Sequence, residues 1–483
     1  MKLNQLAACI AAVSFLTACG SSSDNDSAPA INMEKAQLVL NTNADIALAA
    51  YTDSVETAKA LKTALATFKA TPNAANLEAA KKAWLVSREP YGQTEVYRFR
   101  NSPIDSTDYS SEDGPEGDLN AWPLGEALID YVVTNSTDFT ADQVGVTANS
   151  AGVNNNGAVD GDPTTQNIIG TPSITINADL LANTATASDE HDVIAGYHAI
   201  EFLLWGQDLN TTDQTATNGA DRDEAVNLGV SGGQRPLTDF TTDVANADSP
   251  AARRHAYLEV AVDKLIADLE SVRDGWKADA NYRTAFTTIE SASEAKQKLT
   301  EILTGMGTLS EGELAGERMQ IAYSSNSQED EHSCFSDNTH RDVWLNAEGV
   351  SNSFYGSYAG YDGNQDGVDD VTTNAVDGYG INDYLRDVGL DSLADETVTA
   401  LAATQTNYTA IDAKARDAQN PQPFDVLIMD ENRNATNPVA LTIIALNKQS
   451  NVIQDIASEL GLGDVVDDEA SSCNTTTPGV ECD

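Results

Sequence analysis

His198 and Glu201 stand three residues apart in the run Gly-Tyr-His-Ala-Ile-Glu, residues 196 to 201, which continues as Phe-Leu-Leu-Trp-Gly. On a helix that spacing projects an imidazole and a carboxylate from one face about one turn apart. Such a pair can share a metal ion, or the carboxylate can orient the ring. Gly196 inside the helical pattern costs about 1 kcal/mol relative to Ala, which points to close approach of another backbone or a ligand. Taken alone, the pair is more simply a satisfied core histidine. Two further segments shift that balance. Residues 84 to 105 read WLVSREPYGQTEVYRFRNSPID, and residues 317 to 342 read ERMQIAYSSNSQEDEHSCFSDNTHRD. Both run apolar helical frames into clusters of Arg, His, Asp and Glu, which are costly to bury unless the charges pair or bind something.

A second oxygen-rich pattern spans residues 362 to 370. Asp362, Asn364, Asp366 and Gly367 follow the D-x-[DN]-x-[DN]-G of a calcium loop; Thr373 occupies the twelfth position where a Glu would complete the cage, and Asp369 or Asp370 can substitute for it. Calcium and a solvated Asn/Asp/Gly turn both stay open readings. Of the five cysteines, Cys9 falls in the leader described below, Cys473 and Cys482 are spaced for a small disulfide loop, and Cys334 reads as a buried free thiol.

The elements that position these residues are helices. Residues 33 to 68, 76 to 99, 251 to 276, 291 to 323, 385 to 412 and 438 to 460 carry apolar side chains at three- and four-residue spacing. No sustained alternating run bounded by hairpin turns occurs, so the expected fold is all-α. Polar insertions at 134 to 171, 209 to 249 and 347 to 380 are too long for simple connections. The middle one is taken as the boundary between a first helical domain, 35 to 206, and a second, 251 to 463, with 207 to 250 as linker and 464 to 483 as an acidic tail.

The chain has 483 residues, with 27 Lys plus Arg against 75 Asp plus Glu and a formal net charge of −48. Such a surface does not suit nucleic acid, since polyanion binding needs a basic face. One charge, Lys2, precedes an apolar run from Leu6 to Leu16, and Leu-Thr-Ala-Cys at 16 to 19 has the pattern of a bacterial lipobox. Residues 1 to 18 are therefore expected to be a cleaved lipoprotein signal, Cys19 the lipidated residue and 19 to 34 a flexible tether. Gly20 after the cysteine points to an outer-membrane lipid anchor in the cell envelope.

Together, the three charged segments, with GGQRPLTDF at 232 to 240 and QPFDVLI at 422 to 428, closely resemble the imelysin family, also called the insulin-cleaving membrane protease or iron-regulated protein A family, whose hallmark is G-x-H-x-x-E. The resemblance covers nearly the whole mature chain. It implies two tandem four-helix-bundle-like domains related by pseudo-symmetry, with a pocket at their junction. By likeness to related iron-uptake periplasmic proteins, it implies a metal, iron, held by His198, Glu201, Glu95 and Asp105. Gly196, Arg88, Arg98, Glu317, Arg318, Asp337 and His340 are the expected pocket residues. The implied role is iron acquisition, with other iron-uptake proteins as potential partners. A metallopeptidase is the alternative, although H-E-x-x-H is absent and only five histidines are present, His191, His198, His255, His332 and His340. A metal-free surface-binding protein is the second alternative. One imidazole among carboxylates suits iron, manganese or calcium better than zinc.

Overall fold

The computed structural model describes residues 29–111, 113–120, 122–132, 167–182, 193–208, 232–465 and 475–480. Cys19, Cys473 and Cys482, and with them the expected anchor and tail disulfide, lie outside the described residues.

Helix α1, Met33–Ala70, starts at Asn32, whose side chain accepts the Lys35 N–H, and runs without Gly or Pro until Thr71 and Pro72 stop it. Helix α2, Ala74–Gly92, is capped by Asn73. It ends well short of residue 99, where the sequence pattern placed its end, because Pro90 lacks the N–H its last turn needs and Gly92 follows. A 3-10 turn, Glu95–Tyr97, takes over. Helix α3 is Gly196–Trp205, and α4, Pro250–Gly275, opens with a Ser249 cap and Pro at its first position. Helix α5, Ala292–Thr308, passes without a break into a π-helix, Leu309–Gln320. Helix α6, Thr339–Tyr355, α7, Asp391–Ala415, and α8, Pro438–Leu460, complete the long elements. Among the described residues the strands are two of two residues each, β1 Ser357–Tyr358 and β2 Val376–Asp377, paired antiparallel. The fold is helical, as the apolar periodicity predicts.

The helices pack as two sets of four. In one, α1 lies along α2 and α4, and α3 packs on α2 and α4. In the other, α8 packs against α5, the π-helix and α7, and α6 against α7. Helix α4, placed after the linker by the sequence division, therefore continues the first set past residues 207–250. The two sets meet where α6 lies against α2 and α5 against α1. Backbones come close there: a Cβ on Gly349 of α6 would stand 2.5 Å from the carbonyl oxygen of Gln93. One continuous apolar core runs through both sets, including Tyr51, Trp84, Leu265, Leu269, Phe354 and Ile443. Each such side chain contributes about 1.5–3 kcal/mol by leaving water. The expected polar insertion at 347 to 380 is in fact helix up to Tyr355, and its buried face includes Asn346, Asn352 and Ser353, which carry no apolar periodicity.

Candidate functional site

Helix α3 carries the G-x-H-x-x-E run, and its start explains the glycine. Gly196 has φ +81°, and a Cβ there would stand 2.5 Å from the carbonyl oxygen of Leu119. Only glycine fits both the backbone conformation and the space. The helix is fixed from both sides: Trp84 Nε1 donates to the Tyr197 carbonyl at 2.9 Å, and Tyr257 donates its hydroxyl to the Ile194 carbonyl.

His198 and Glu201, both fully buried, bind each other, with Nδ1 2.8 Å from Oε2. The other Glu201 oxygen accepts the Ser336 N–H at 3.0 Å and its hydroxyl at 2.6 Å. Nε2 of His198 is buried with no hydrogen-bond partner. Beside it stands a second imidazole. The rings of His198 and His332 are 5.0 Å apart and nearly perpendicular, and Trp122 also packs on His198, at 5.0 Å.

His332 repeats the arrangement of His198. Its Nδ1 lies 3.1 Å from Oδ2 of Asp342, at the start of α6, which also accepts from the Ser333 hydroxyl. Nε2 of His332 meets only the side-chain amide of Asn120, at 3.5 Å, beyond a good hydrogen bond. Asp342 is in turn fixed by Arg88 Nε at 3.1 Å, and the Arg88 guanidinium lies over the rings of Tyr197, Tyr91 and Trp84. The third carboxylate is Glu95, 1% exposed, on the 3-10 turn after α2. One of its oxygens accepts from Arg318 at 2.9 Å and Arg98 at 3.1 Å, and the other has no partner.

Burial sets the protonation states. It drives His198 and His332 down to about 3, with Arg88 adding to the effect on His198 and Arg318 on His332, so both rings are neutral. It pushes Glu201 up to about 8. Burial alone would raise Glu95 too, but Arg318 and Arg98 bring it down to about 2. Arg88 and then His332 likewise hold Asp342 well below the usual carboxylate range against the effect of burial. An ionised Asp342 accepts the Nδ1–H of His332 and leaves a lone pair on Nε2. The tautomer of His198 follows the proton on Glu201: a neutral carboxyl donates to Nδ1, an ionised one accepts from it.

The π-helix places Arg318. Its wider turn aligns residues five apart, so Glu313 and Arg318 meet at 3.1 Å while Arg318 also reaches Glu95 and Asn346. The same winding leaves Glu317 exposed, outside the pocket for which it was predicted. Asp105 does not join the histidines either: one of its oxygens accepts the Ser102 and Arg100 amides, closing the turn after Phe99. His340 stands with Asp412 and the Asp337 carbonyl, in a separate cluster where Arg341 binds Glu89. The 362–370 loop turns its oxygens onto itself. Asp362 accepts the amides of Gln365, Asp366 and Gly367, Asp370 those of Gly363 and Asn364, and Asp366 that of Val368. Among the described residues, no three His, Cys, Asp or Glu side chains form a group that could hold a metal ion. The predicted quartet is therefore not assembled: Glu201 is spent on His198 and Ser336, and Asp105 on backbone amides. His332 and Asp342 were not picked out by sequence reasoning, although both stand in the charged segment 317 to 342.

The family model described as imelysin, peptidase M75, matches residues 47–452. An iron-regulated protein A from Synechococcus elongatus is 37% identical over 79 residues, which is 16% of this chain and only 20% of that relative. A crystal structure described as an iron-regulated protein A precursor from Parabacteroides distasonis superposes with TM-score 0.55 at 16% identity, covering 91% of this chain and 98% of the other. An imelysin-like protein from Psychrobacter arcticum gives TM-score 0.53 at 15% identity, covering 90% and 99%.

Proposed function

The chain belongs to the imelysin family, and from that premise we propose that it is an iron-related lipoprotein of the cell envelope that holds one iron ion between His198 and His332. One observation carries this reading: two neutral imidazoles lie side by side, each with Nδ1 fixed by a carboxylate and Nε2 left without a good partner. A carboxylate on the far nitrogen is the usual support of a metal-bound histidine. The two ring centroids stand 5.0 Å apart, so His198 and His332 are the residues that would hold the ion. Imidazole nitrogens suit a divalent transition metal. An ion held there would supply positive charge and redox chemistry, while Glu201 and Asp342 orient the rings and Trp122 covers one of them.

The names of the relatives support iron as the metal. Binding rather than peptide cleavage follows from burial, since His198 and Glu201 are fully enclosed and a polypeptide substrate needs an open cleft. Loading the purified mature chain with ferrous iron without oxygen, then desalting and measuring metal, tests this reading. The wild type should retain about one equivalent and His198→Ala almost none, with the helical circular dichroism of both alike. Equal retention by both would refute the assignment.

A further inference from the structure

Gly232, Gly233 and Arg235 open the segment GGQRPLTDF, and their main chain ties together the two elements that hold Glu201. The Arg235 N–H donates to the carbonyl of Trp205, the last residue of α3, at 2.7 Å, and the Gly233 N–H donates to the carbonyl of Phe335, also at 2.7 Å. Phe335 precedes Ser336, whose amide and hydroxyl both bind Oε1 of Glu201. We propose that Gly232 and Gly233 are positioning residues of the centre: they set the spacing between the end of α3 and the turn at Ser336, and through Ser336 and Glu201 they fix the ring of His198. The inference rests on the reading that this ring is the working group of the centre.

Any wider residue in this wedge would force its two walls apart. Gly232 has φ +72°, and a Cβ on it would stand 2.7 Å from the Phe335 carbonyl oxygen and 3.0 Å from the carbonyl carbon of Ser336. On the opposite wall, a Cβ on Gly233 would stand 2.3 Å from the Gly206 carbonyl oxygen and 2.6 Å from that of Trp205. A carbon and a carbonyl oxygen rest at about 3.3–3.6 Å, so one methyl at residue 232 pushes the turn outward by about 0.6 Å or more. The Ser336 bonds leave no such room. They measure 2.6 Å from the hydroxyl and 3.0 Å from the amide, and the usual ranges end near ~3.0 and ~3.2 Å.

The wedge is itself anchored. Arg235 also donates to the Phe202 carbonyl at 3.3 Å and to Asp130 at 2.7 Å, and Asp130 is bound in turn by Arg254 of α4. Phe335 packs on Phe202 at 5.2 Å and on Trp122 at 5.5 Å, and Trp122 packs on His198. The turn therefore reaches the His198 ring by two routes, a polar one through Glu201 and an apolar one through Trp122. With Ser336 moved away, Glu201 keeps, among the described residues, its bond to the ring it orients and no anchor of its own. A carboxylate holds an imidazole in place only when its own position is fixed.

The test uses the full mature chain without added metal, read by proton–nitrogen correlation spectra of the histidine rings and by hydrogen exchange of the Ser336 amide. In Gly232→Ala the His198 ring signals should move in the direction they take in Ser336→Ala, and the double variant should match Ser336→Ala alone. The Ser336 amide should exchange at least about tenfold faster in Gly232→Ala than in the wild type. Trp276, which follows α4 and packs on Tyr97 and Tyr282, should keep its indole signal. Gln234→Ala covers the case in which Gly232→Ala does not fold. It adds no atom to the wedge, frees the Gly232 carbonyl that Gln234 Nε2 binds at 2.9 Å, and should speed Ser336 exchange several-fold. Wild-type His198 signals and Ser336 exchange in whichever of the two variants folds would overturn the inference. So would a Trp276 signal that moves as much as those of His198, since the segment would then support the fold at large. Because no metal is added, a chain that takes up no iron would overturn the proposed function and leave this inference to be decided by the ring signals.

Discussion

Replacing Asp342 by Asn should lower the stability of the fold by about 3–5 kcal/mol, the usual result of removing one partner from a buried ion pair. Arg88 is 1% exposed and lies over the faces of three aromatic rings, with Asp342 as its carboxylate partner. With the carboxylate gone, a guanidinium that cannot lose its charge stays buried beside neutral amides. The depressed titration of Asp342 gives the same sign, because a carboxylate whose folded value lies below its unfolded one stabilises the fold at neutral pH. Denaturant unfolding measures the loss. The paired change Arg88→Met with Asp342→Leu should recover much of it, since no uncompensated charge remains. A loss below about 1 kcal/mol for Asp342→Asn would show that Arg88 is not held as described. The same change frees the His332 ring, so iron binding should weaken about 10–100-fold, as for other supporting carboxylates.

Iron affinity should rise about tenfold for each pH unit up to about 8 and then level off. Glu201 is pushed up to about 8 by burial, so at neutral pH its hydroxyl donates to Nδ1 of His198 and the ring hydrogen sits on Nε2. An ion can take Nε2 only if Glu201 loses its proton and Nδ1 becomes the donor. Uptake therefore releases close to one proton below pH 8, and falling pH opposes it. The ring's own titration, near 3, lies too low to matter in that range. Glu201→Gln separates this from a general effect of charge. Its side-chain amide can donate to Nδ1, which keeps the hydrogen on Nε2, so affinity should fall about a hundredfold and lose its dependence on pH between 6 and 8. Calorimetry in buffers of different ionisation enthalpy reads both the affinity and the proton count. An affinity unchanged between pH 6 and 8, with no proton released by the wild type, would contradict the assigned protonation states.

Much of the scaffold was legible in the sequence because the long helices use apolar periodicity and standard caps. Helices α1, α4 and α8 begin within two residues of their expected starts, at Asn32, Ser249 and Asn437 caps. Helix α6 was not legible, because the face it buries includes Gly349, Asn346, Asn352 and Ser353, which interlock with the Gln93 backbone and side chain, Arg318 and Asn43. Polar interlocking leaves no hydrophobic period to count. In the site, His198 and Glu201 could be paired because helical spacing alone brings them together. His332 could not, since a turn 134 positions downstream in the chain places it beside His198. Glu317 was misplaced for a different reason. It was expected in the pocket together with Arg318, but on the π-helix Arg318 is buried and meets Glu313, five residues before it, while Glu317 is exposed. Asp105 failed as a ligand because loop carboxylates have backbone amides close at hand, and Ser102 and Arg100 claimed it.

The central claim is that His198 and His332 together hold the ion, although only His198 belongs to the G-x-H-x-x-E motif. Calorimetric titration of His332→Ala with ferrous iron at pH 7.5, beside the wild type and without oxygen, tests it most directly. Binding should be at least a hundredfold weaker in a protein whose helical circular dichroism is intact; wild-type affinity in that variant would show that His332 does not hold the ion.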